Sequence, residues 1–290
     1  MSWSVCLRLG RVSNLPTVWT NVLAAVVLTG VFVASGPLAL LALALSLFYI
    51  GGMYLNDAFD RAIDARERPA RPIPAGLARA TTVFATGYGL LVAGLAALAA
   101  EAAWAGQGGY WPAIVSGLAL GGLIVFYDAR HKANPWSPLL MGLCRVLVYV
   151  TAACAVAGRL GVPVLAGAAV LLSYLIGLTY VAKQENLAEF RNLWPLLFLG
   201  APFVYGIPAL VGGPVGAALY VGFLAWVGYA VSLLVRPGRV NIPRAVVSFI
   251  AGISLLDGLL MAGAGAPGAA VWGVGGFGLT LVLQRYVRGT

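Results

Sequence analysis

Three aspartates and an asparagine, spaced at helical intervals, form a dense group of polar side chains in this chain. Acidic residues number nine among 290, and three of them, Asp57, Asp60 and Asp64, fall at positions i, i+3 and i+7. On a helix this spacing puts three carboxyl groups on one face, with Asn56 about one turn before Asp60. Carboxylates crowded beside hydrocarbon persist where a cation neutralises them. The oxygen ligands suit Mg²⁺, which takes one or two protein carboxylates and adds water and phosphate oxygens.

A segment rich in arginine and proline follows this group. The string Arg-Pro-Ala-Arg-Pro-Ile-Pro-Ala-Gly begins at Arg68 and includes Arg71. Proline at every second or third position predicts an extended, turning chain rather than a continued helix. Such a segment can fold its guanidinium groups over a bound phosphate. The alternative interpretation is a solvated loop whose arginines only set membrane topology.

The elements that must position these residues are membrane helices. Hydrophobic residues make up 61% of the chain, charged residues 9%, and the mean hydropathy is +0.93, which is far from the balance of a soluble domain. We predict an all-α, polytopic transmembrane bundle, formed by residues 1–290 as a single domain. Apolar runs near the ~20 residues needed to span a bilayer fall at 14–34, 37–56, 80–100, 111–127, 137–157, 162–181, 193–211, 215–235, 243–263 and 268–284.

Basic residues predict the orientation of this bundle. Lys and Arg in short loops stay on the cytoplasmic side, and here they follow the even-numbered spans or precede the first, except for Arg145 within the fifth span and Arg159 in an opposite-side loop. Both termini and the three polar loops, 57–79, 128–136 and 183–192, are therefore expected to be cytoplasmic. The net charge of +9 is explained by topology and by contact with anionic lipid headgroups, so we expect no nucleic-acid partner.

The first polar loop resembles a known family motif. The pattern Asn-Asp-x-x-Asp-x-x-x-Asp that starts at Asn56, followed by Arg-Pro-Ile-Pro-x-Gly, is similar to the first aspartate motif of the UbiA-type intramembrane prenyltransferases. The N-terminal segment from Arg8 to Asn21 is also similar to that family. The resemblance implies a helical bundle around a lipid-open cavity, with Mg²⁺ holding a prenyl diphosphate at its cytoplasmic mouth. It implies nine spans, where the positions of the basic residues favour ten, and it implies Asn56, Asp57, Asp60 and Asp64 as the metal and diphosphate site.

The second loop supplies basic residues. Tyr127, Arg130 and Lys132 resemble the family's Tyr and Lys element, and the two cations are expected to clamp the diphosphate. Arg145 lies about two turns into the following span, where a charge is costly unless it faces a polar cavity or a partner. His131 is the chain's one histidine, and we interpret it as structural rather than as an acid or base.

The third loop departs from the family pattern. UbiA-type enzymes carry a second aspartate motif here, whereas this chain has Lys183, Glu185 and Glu189. The two glutamates at i, i+4 are expected to face a second Mg²⁺, and a one-metal site or surface pairing with neighbouring basic residues are the alternatives. The substituted motif and the Arg130-His131-Lys132 loop resemble the EboC-like branch of the superfamily. Elsewhere, Asp257 in the ninth span must be protonated, paired or turned toward a polar interior.

Taken together, these patterns predict Mg²⁺-dependent transfer of an isoprenoid chain from a prenyl or polyprenyl diphosphate to a small aromatic or hydroxyl-bearing acceptor. Two other classes stay open: a transporter or flippase of a phosphorylated isoprenoid lipid, and a non-catalytic binder of one. The predicted catalytic residues are Asp57, Asp60 and Lys132. The predicted metal ligands are Asp57, Asp60, Asp64, Glu185 and Glu189, and substrate contacts are predicted for Asn56, Arg68, Arg71, Tyr127, Arg130, Arg145, Tyr149, Tyr180 and Lys183.

Overall fold

The protein, described here from a computed structural model, is a bundle of membrane-spanning helices. The structure describes residues 1–105, 109–132, 134–184, 194–235 and 240–287. Within these ranges ten helical segments are long and apolar enough to cross a bilayer. The predicted class, a polytopic all-α membrane protein, is confirmed, and the count is ten rather than nine.

The helices follow one another with short connections. A short helix, α1, lies before the first span, and a 3₁₀ turn at Val12–Asn14 leads from α1 into that span. The seventh span consists of a 3₁₀ segment, Trp194–Gly200, and two short helices, α8 and α9. The bounds are α1 Trp3–Leu9, α2 Leu15–Thr29, α3 Ser35–Glu67, α4 Ala80–Ala105, α5 Tyr110–Arg130, α6 Ser137–Ala157, α7 Val162–Lys183, α8 Ala201–Tyr205, α9 Ile207–Val211, α10 Pro214–Val235, α11 Ile242–Gly263 and α12 Pro267–Tyr286.

Helix α3 continues well past its apolar run. Its 33 residues end at Glu67, so Asp57, Asp60 and Asp64 are helical and share the expected face. The helix ends where the Arg-Pro segment begins, because proline disfavours the helical conformation of the residue before it. Residues 68–79 then form turns rather than helix, as the prolines predict.

Glycines set the distance between α3 and its neighbour α4. A β-carbon added to Gly51 would lie 2.9 Å from the carbonyl oxygen of Gly87, and one added to Gly94 would lie 3.1 Å from that of Ala44. Backbones can approach this closely only where side chains are absent. The helix that carries the aspartates is therefore packed firmly against α4.

Helix α11 is the most enclosed span in the described part of the chain, whereas α12 is largely exposed toward the surroundings of the bundle. A helix buried on all sides is normally apolar throughout. Asp257 sits in the middle of α11 and is fully buried. Its position marks a polar site inside the bundle.

Candidate functional site

A cavity of about 490 Å³ lies between α2, α3, α5, α6, α7 and α11. Its volume falls within the usual range for ligand pockets. The interior is formed largely by apolar side chains, among them Val18, Phe48, Ile124, Met141, Val148, Leu175, Leu178, Ile250 and Ile253. Its charged lining residues are Arg11, Arg68, Arg71, Lys132, Arg145 and Lys183, against Asp60, Glu67 and Asp128. An apolar interior thus opens at a mouth where positive side chains outnumber negative ones.

Two arginines converge on Asp57. Arg71 Nη1 lies 2.5 Å from Asp57 Oδ1, and Arg11 Nη2 lies 3.2 Å from the same oxygen. Arg71 comes from the turns after α3, which bring it back over the helix end. Burial lowers the pKa of Arg71 below its ordinary value, and the charge of Arg11 lowers it further, although Asp57 and Asp64 oppose this. The guanidinium groups of Arg11 and Arg71 therefore lie close together, and a further anion would stabilise them.

Arg11 also reaches the neighbouring asparagine. Its Nη2 donates to Asn56 Oδ1 at 3.2 Å, and Asn56 Nδ2 donates to Asp128 Oδ1 at 3.1 Å. This chain of contacts ties the segment before α2 to α3 and α5. The backbone of Arg11 is left-handed, with φ 41° and ψ 47°, a conformation that costs about 1–2 kcal/mol for a residue with a β-carbon.

Asp60 lines the cavity and faces the second polar loop. Its Oδ2 lies 3.4 Å from both His131 Nε2 and Lys132 Nζ. The other ring nitrogen of His131 lies 3.3 Å from the backbone oxygen of Asp128, which can only accept, so Nδ1 donates there. The imidazole also stacks on Tyr127, with ring centroids 4.9 Å apart. The structure therefore brings Asp60, Tyr127 and Lys132 together as predicted positions of one site.

Asp64 is buried and incompletely paired. Its Oδ2 lies 3.6 Å from Arg71 Nη1 and has no hydrogen-bond partner among the described residues. Asp128 Oδ2 is likewise buried and without such a partner in the described part of the chain. Buried carboxylate oxygens left in this way favour a cation or a donor from a ligand.

These oxygens allow a test of the expected Mg²⁺ site. In the ranges that the structure describes, no three Asp, Glu, His or Cys side chains gather closely enough to hold a metal by themselves. Mg²⁺ does not need such a cage, because it is commonly held by one or two carboxylates together with water and substrate phosphates. The Asp64 oxygen that lacks a hydrogen-bond partner among the described residues and the cavity-facing Asp60 fit that partial role.

Arg145 lies deeper in the cavity wall, about two turns into α6. Its Nη1 donates to Asn21 Oδ1 at 2.7 Å and its Nη2 to Thr17 Oγ1 at 3.0 Å, both on α2. The guanidinium carbon lies 5.3 Å from the centre of the Tyr49 ring on α3. Three helices therefore fix the position of this charge.

Behind Asn21 lies Asp257. Asn21 Nδ2 donates to both carboxyl oxygens, at 3.0 and 2.8 Å, and Thr20 Oγ1 donates to Oδ2 at 2.6 Å. Tyr149 on α6 donates its hydroxyl to Oδ1. The Asp257 carboxyl group is thus paired with hydrogen-bond donors, which is one of the three possibilities expected for a carboxyl group within a span.

Several predicted contacts lie away from the cavity. Tyr149 is fully buried and directed at Asp257, and Arg130 at the end of α5 is exposed. Tyr180 packs beside Trp194, with ring centroids 5.3 Å apart, and none of these three side chains lines the cavity. Lys183 does line it, and its Nζ donates to the Asn134 backbone oxygen at 3.3 Å. Glu185 and Glu189 lie outside the described residues.

Three residues of the site were not assigned to it from the sequence. Arg11 was included only in the N-terminal segment that resembles the family, Asp128 only in the second polar loop, and His131 was interpreted as structural, yet all three line the cavity. For Asp128 and His131, their place beside Tyr127 and Lys132 was an available signal. For Arg11 the available signal was its place in the N-terminal segment that resembles the family.

Comparisons with known proteins agree on the family and the fold. A sequence model of the UbiA prenyltransferase family matches residues 14–253. The chain is 34% identical over 117 residues to the digeranylgeranylglyceryl phosphate synthase of Methanoregula boonei, a match that covers 40% of this chain and 38% of that protein. It is 38% identical over 87 residues to the chloroplastic chlorophyll synthase of Oryza sativa subsp. japonica, covering 28% and 22%. The matches thus span well under half of these curated relatives.

Two solved structures share the fold over nearly the whole chain. One is of a digeranylgeranylglyceryl phosphate synthase in membranes, with a TM-score of 0.58, 17% identity, and coverage of 90% of this chain and 97% of that one. The other is the apo structure of a UbiA homologue from Aeropyrum pernix K1, with a TM-score of 0.57, 16% identity, and coverage of 91% and 96%. At this identity the likeness concerns the helical bundle itself.

Proposed function

The chain belongs to the UbiA prenyltransferase family, and on that premise we propose that it transfers an isoprenoid chain from a prenyl or polyprenyl diphosphate to a small aromatic or hydroxyl-bearing acceptor. The observation that carries this proposal is the division of the cavity into an apolar interior and a cationic mouth. A prenyl diphosphate has the same division, with a hydrocarbon tail at one end and a highly charged group at the other. The tail would lie among Phe48, Ile124 and Leu175, with the diphosphate at the mouth.

The leaving group would be held by side chains from three parts of the chain. Arg68 and Arg71 come from the turns after α3, Lys132 from the turn after α5, and Lys183 from the end of α7, and all four line the cavity. Guanidinium groups bind phosphate oxygens in pairs, while ammonium groups act as point charges. Charge that develops on the diphosphate as the allylic C–O bond breaks would be stabilised by donors already in place.

Asp57, Asp60 and Asp64 are the residues that would hold Mg²⁺. Asp60 faces the cavity, and Asp64 has a buried oxygen with no hydrogen-bond partner among the described residues, so these two would supply protein oxygens, with Asp57 close by on the same face. When bound, Mg²⁺ would neutralise diphosphate oxygens and so favour departure of pyrophosphate. The guanidinium groups of Arg11 and Arg71 already share one oxygen of Asp57.

The carbon that loses the diphosphate would carry positive charge next to the mouth. Tyr127 lines this part of the cavity, and the face of an aromatic ring attracts a nearby cation. The surrounding apolar walls would exclude water, which otherwise would capture the cation in place of the acceptor. Positive-inside counting assigns the mouth and its three loops to the cytoplasmic face, and this orientation is part of the proposal.

The direct test uses purified full-length protein in lipid nanodiscs. It would be incubated with Mg²⁺, radiolabelled prenyl diphosphates of increasing chain length and a membrane lipid extract or candidate phenols as acceptors. We expect release of pyrophosphate coupled to a labelled product, with loss of both in Asp60→Asn and after chelation of divalent metal. Ser232→Ala, whose hydroxyl bonds only its own helix, is a matched control and should keep full activity.

The same experiment separates the alternative classes. A transporter or a non-catalytic binder would retain or move the labelled diphosphate without cleaving it. Binding of labelled diphosphate without pyrophosphate release, for every chain length and acceptor tried, would overturn the proposal. Full turnover by Asp60→Asn would show that Asp60 does not belong to the active site, contrary to the proposal.

A further inference from the structure

The cavity ends at a similar depth on three of its helices. Followed from the mouth, its last lining residues are Phe48 on α3, Leu120 on α5 and Val148 on α6. One turn further along, Leu45 on α3 and Ala152 on α6 have no exposed surface and belong to the packed core. Side chains of the bundle itself therefore close the cavity at the end opposite its mouth.

The length of the cavity sets how much of a hydrocarbon tail it can hold. Asp60 at the mouth and Phe48 at the closed end belong to one helix, and their separation in the sequence corresponds to about 18 Å along its axis. An isoprene unit adds four bonds to a chain, and at the advance per bond of an extended chain it spans roughly 5 Å. The space between Asp60 and Phe48 thus matches about three to four units laid out straight.

The Phe48 ring fills a recess that three glycines leave open. A β-carbon added to Gly94 on α4 would lie 3.0 Å from Phe48 Cδ2. On α5, β-carbons added to Gly121 and Gly117 would lie 3.4 and 3.8 Å from atoms of the same ring. Because these positions carry no side chains, nothing nearby can take the place of the ring if it is removed. Loss of the ring would therefore extend the cavity into the space between α4 and α5.

Val148 on α6 lies close to Phe48 in depth. Arg145, about one turn before Val148, has its guanidinium carbon 5.3 Å from the centre of the Tyr49 ring, and Tyr49 directly follows Phe48 on α3. Val148 is much the smaller of the two lining side chains. A phenyl ring introduced at Val148 would therefore shorten the space available to a tail, in the opposite sense to removal of the Phe48 ring.

We propose that Phe48 limits the length of the prenyl chain that the enzyme accepts, with donors of about three to four isoprene units as its substrates. The inference rests on the proposed function, which lays the tail of the donor along the apolar interior. A longer tail would have to displace the Phe48 ring, and a packed interior resists added volume. The competing arrangement is a tail that leaves sideways between two helices into the bilayer, in which case Phe48 would have no influence on chain length.

The test measures binding of donors that differ only in length. Full-length protein in nanodiscs with Mg²⁺ would be loaded with radiolabelled geranylgeranyl diphosphate, and geranyl, farnesyl, geranylgeranyl, farnesylgeranyl and hexaprenyl diphosphates would be compared as competitors. The lipid takes up long tails equally in every sample, so differences between variants report on the protein. We expect the native protein to bind hexaprenyl diphosphate about tenfold more weakly than geranylgeranyl diphosphate.

Two substitutions should move this limit in opposite directions. Phe48→Ala should bring farnesylgeranyl diphosphate to within about twofold of geranylgeranyl diphosphate, because a phenyl ring and an isoprene unit have similar volumes. Val148→Phe should weaken binding of geranylgeranyl diphosphate about tenfold and leave geranyl diphosphate unchanged. Phe126→Ala is the matched control, since it removes the same ring from the half-exposed outer face of α5, and it should keep the native length profile.

A milder variant covers the case in which Phe48→Ala does not fold. Phe48→Leu removes part of the ring and should shift the profile in the same direction by a smaller amount. A native profile without a length limit, or the same profile in the Phe48 variants and in Val148→Phe, would overturn the inference and favour a sideways exit. Binding of every donor without pyrophosphate release would instead count against the proposed function, so the two failures are distinct.

Discussion

Arg145 and Asp257 are joined through a single amide, since Asn21 accepts from the guanidinium at 2.7 Å and donates to the carboxyl group at 2.8 Å. Arg11 and Asp128 are joined in the same way through Asn56, with distances of 3.2 and 3.1 Å. Both chains of contacts link the N-terminal part of the protein to a later helix. In each, the asparagine side chain fixes the position of the arginine relative to the aspartate, and the two charged groups do not contact each other directly.

Removal of the Asp257 carboxyl group should destabilise the bundle. Asp257→Ala leaves the donors of Asn21 and Tyr149 without their acceptor, whereas Thr20 can still donate to the Thr17 carbonyl oxygen or the Ser254 hydroxyl. Each buried unsatisfied group costs about 1–3 kcal/mol. Asp257→Asn retains an oxygen and should lose less. Thermal unfolding in detergent would measure both, with Ser232→Ala as the control. Equal melting temperatures for Asp257→Ala and the native protein would show that the network contributes nothing to stability.

Neutralising Asp57 should reduce turnover more than neutralising a nearby acid. In Asp57→Asn, Arg11 and Arg71 lose their shared counter-ion, and the face of α3 that would hold the metal loses one carboxylate. We therefore expect a fall of at least about 100-fold in the rate of pyrophosphate release. Glu67→Gln removes the same charge at the exposed end of the same helix and should have a smaller effect. A larger loss of turnover in Glu67→Gln than in Asp57→Asn would contradict the assignment of Asp57 to the site.

Two glycine substitutions test the packing of α3 on α4. Gly51→Ala would put a methyl group 2.9 Å from the Gly87 carbonyl oxygen, whereas an added β-carbon at Gly89 meets nothing within 4 Å. We expect Gly51→Ala to destabilise the protein by about 1–3 kcal/mol. Gly89→Ala should be neutral or stabilising, because alanine favours helix over glycine. Melting temperatures that do not separate the two variants would contradict the close approach.

A buried carboxyl group on α4 should be replaceable with a gain in stability. Glu101 is fully buried, and neither of its oxygens has a hydrogen-bond partner among the described residues. Glu101→Met keeps much of the length and removes both polar atoms, so we expect a gain of about 1–3 kcal/mol. The measurement is thermal unfolding of the purified variant. A lower melting temperature would mean that the carboxyl group makes a stabilising contact.

The architecture could be predicted from the sequence because it depends on local signals. Apolar runs of spanning length predicted the ten spans, and the i, i+3, i+7 spacing predicted that Asp57, Asp60 and Asp64 share one face if the helix continues, as α3 does to Glu67. The turns that carry Arg71 followed from the prolines. In each case the residues that decide the structure are close neighbours in the chain.

The partners within the site were not predictable in this way. Asn21 and Asp257 are 236 positions apart, and Arg11 and Asp57 are 46 apart, so no periodicity in the sequence relates them. Tyr149 was expected to contact the substrate, yet its hydroxyl is directed at Asp257. Which face of a buried helix meets which neighbour is decided by packing, and the hydrophobic pattern of a membrane helix carries little of that information.

The left-handed backbone of Arg11 changes how mutational scanning of this position must be interpreted. Alanine there removes the guanidinium but keeps the unfavourable φ, whereas glycine removes both. Comparing the two variants separates the energetic cost of the left-handed backbone from the contribution of the guanidinium group. Arg11→Gly that is more stable than Arg11→Ala, with equal loss of turnover, would show that the protein tolerates a strained peptide in order to deliver one charge to Asn56 and Asp57.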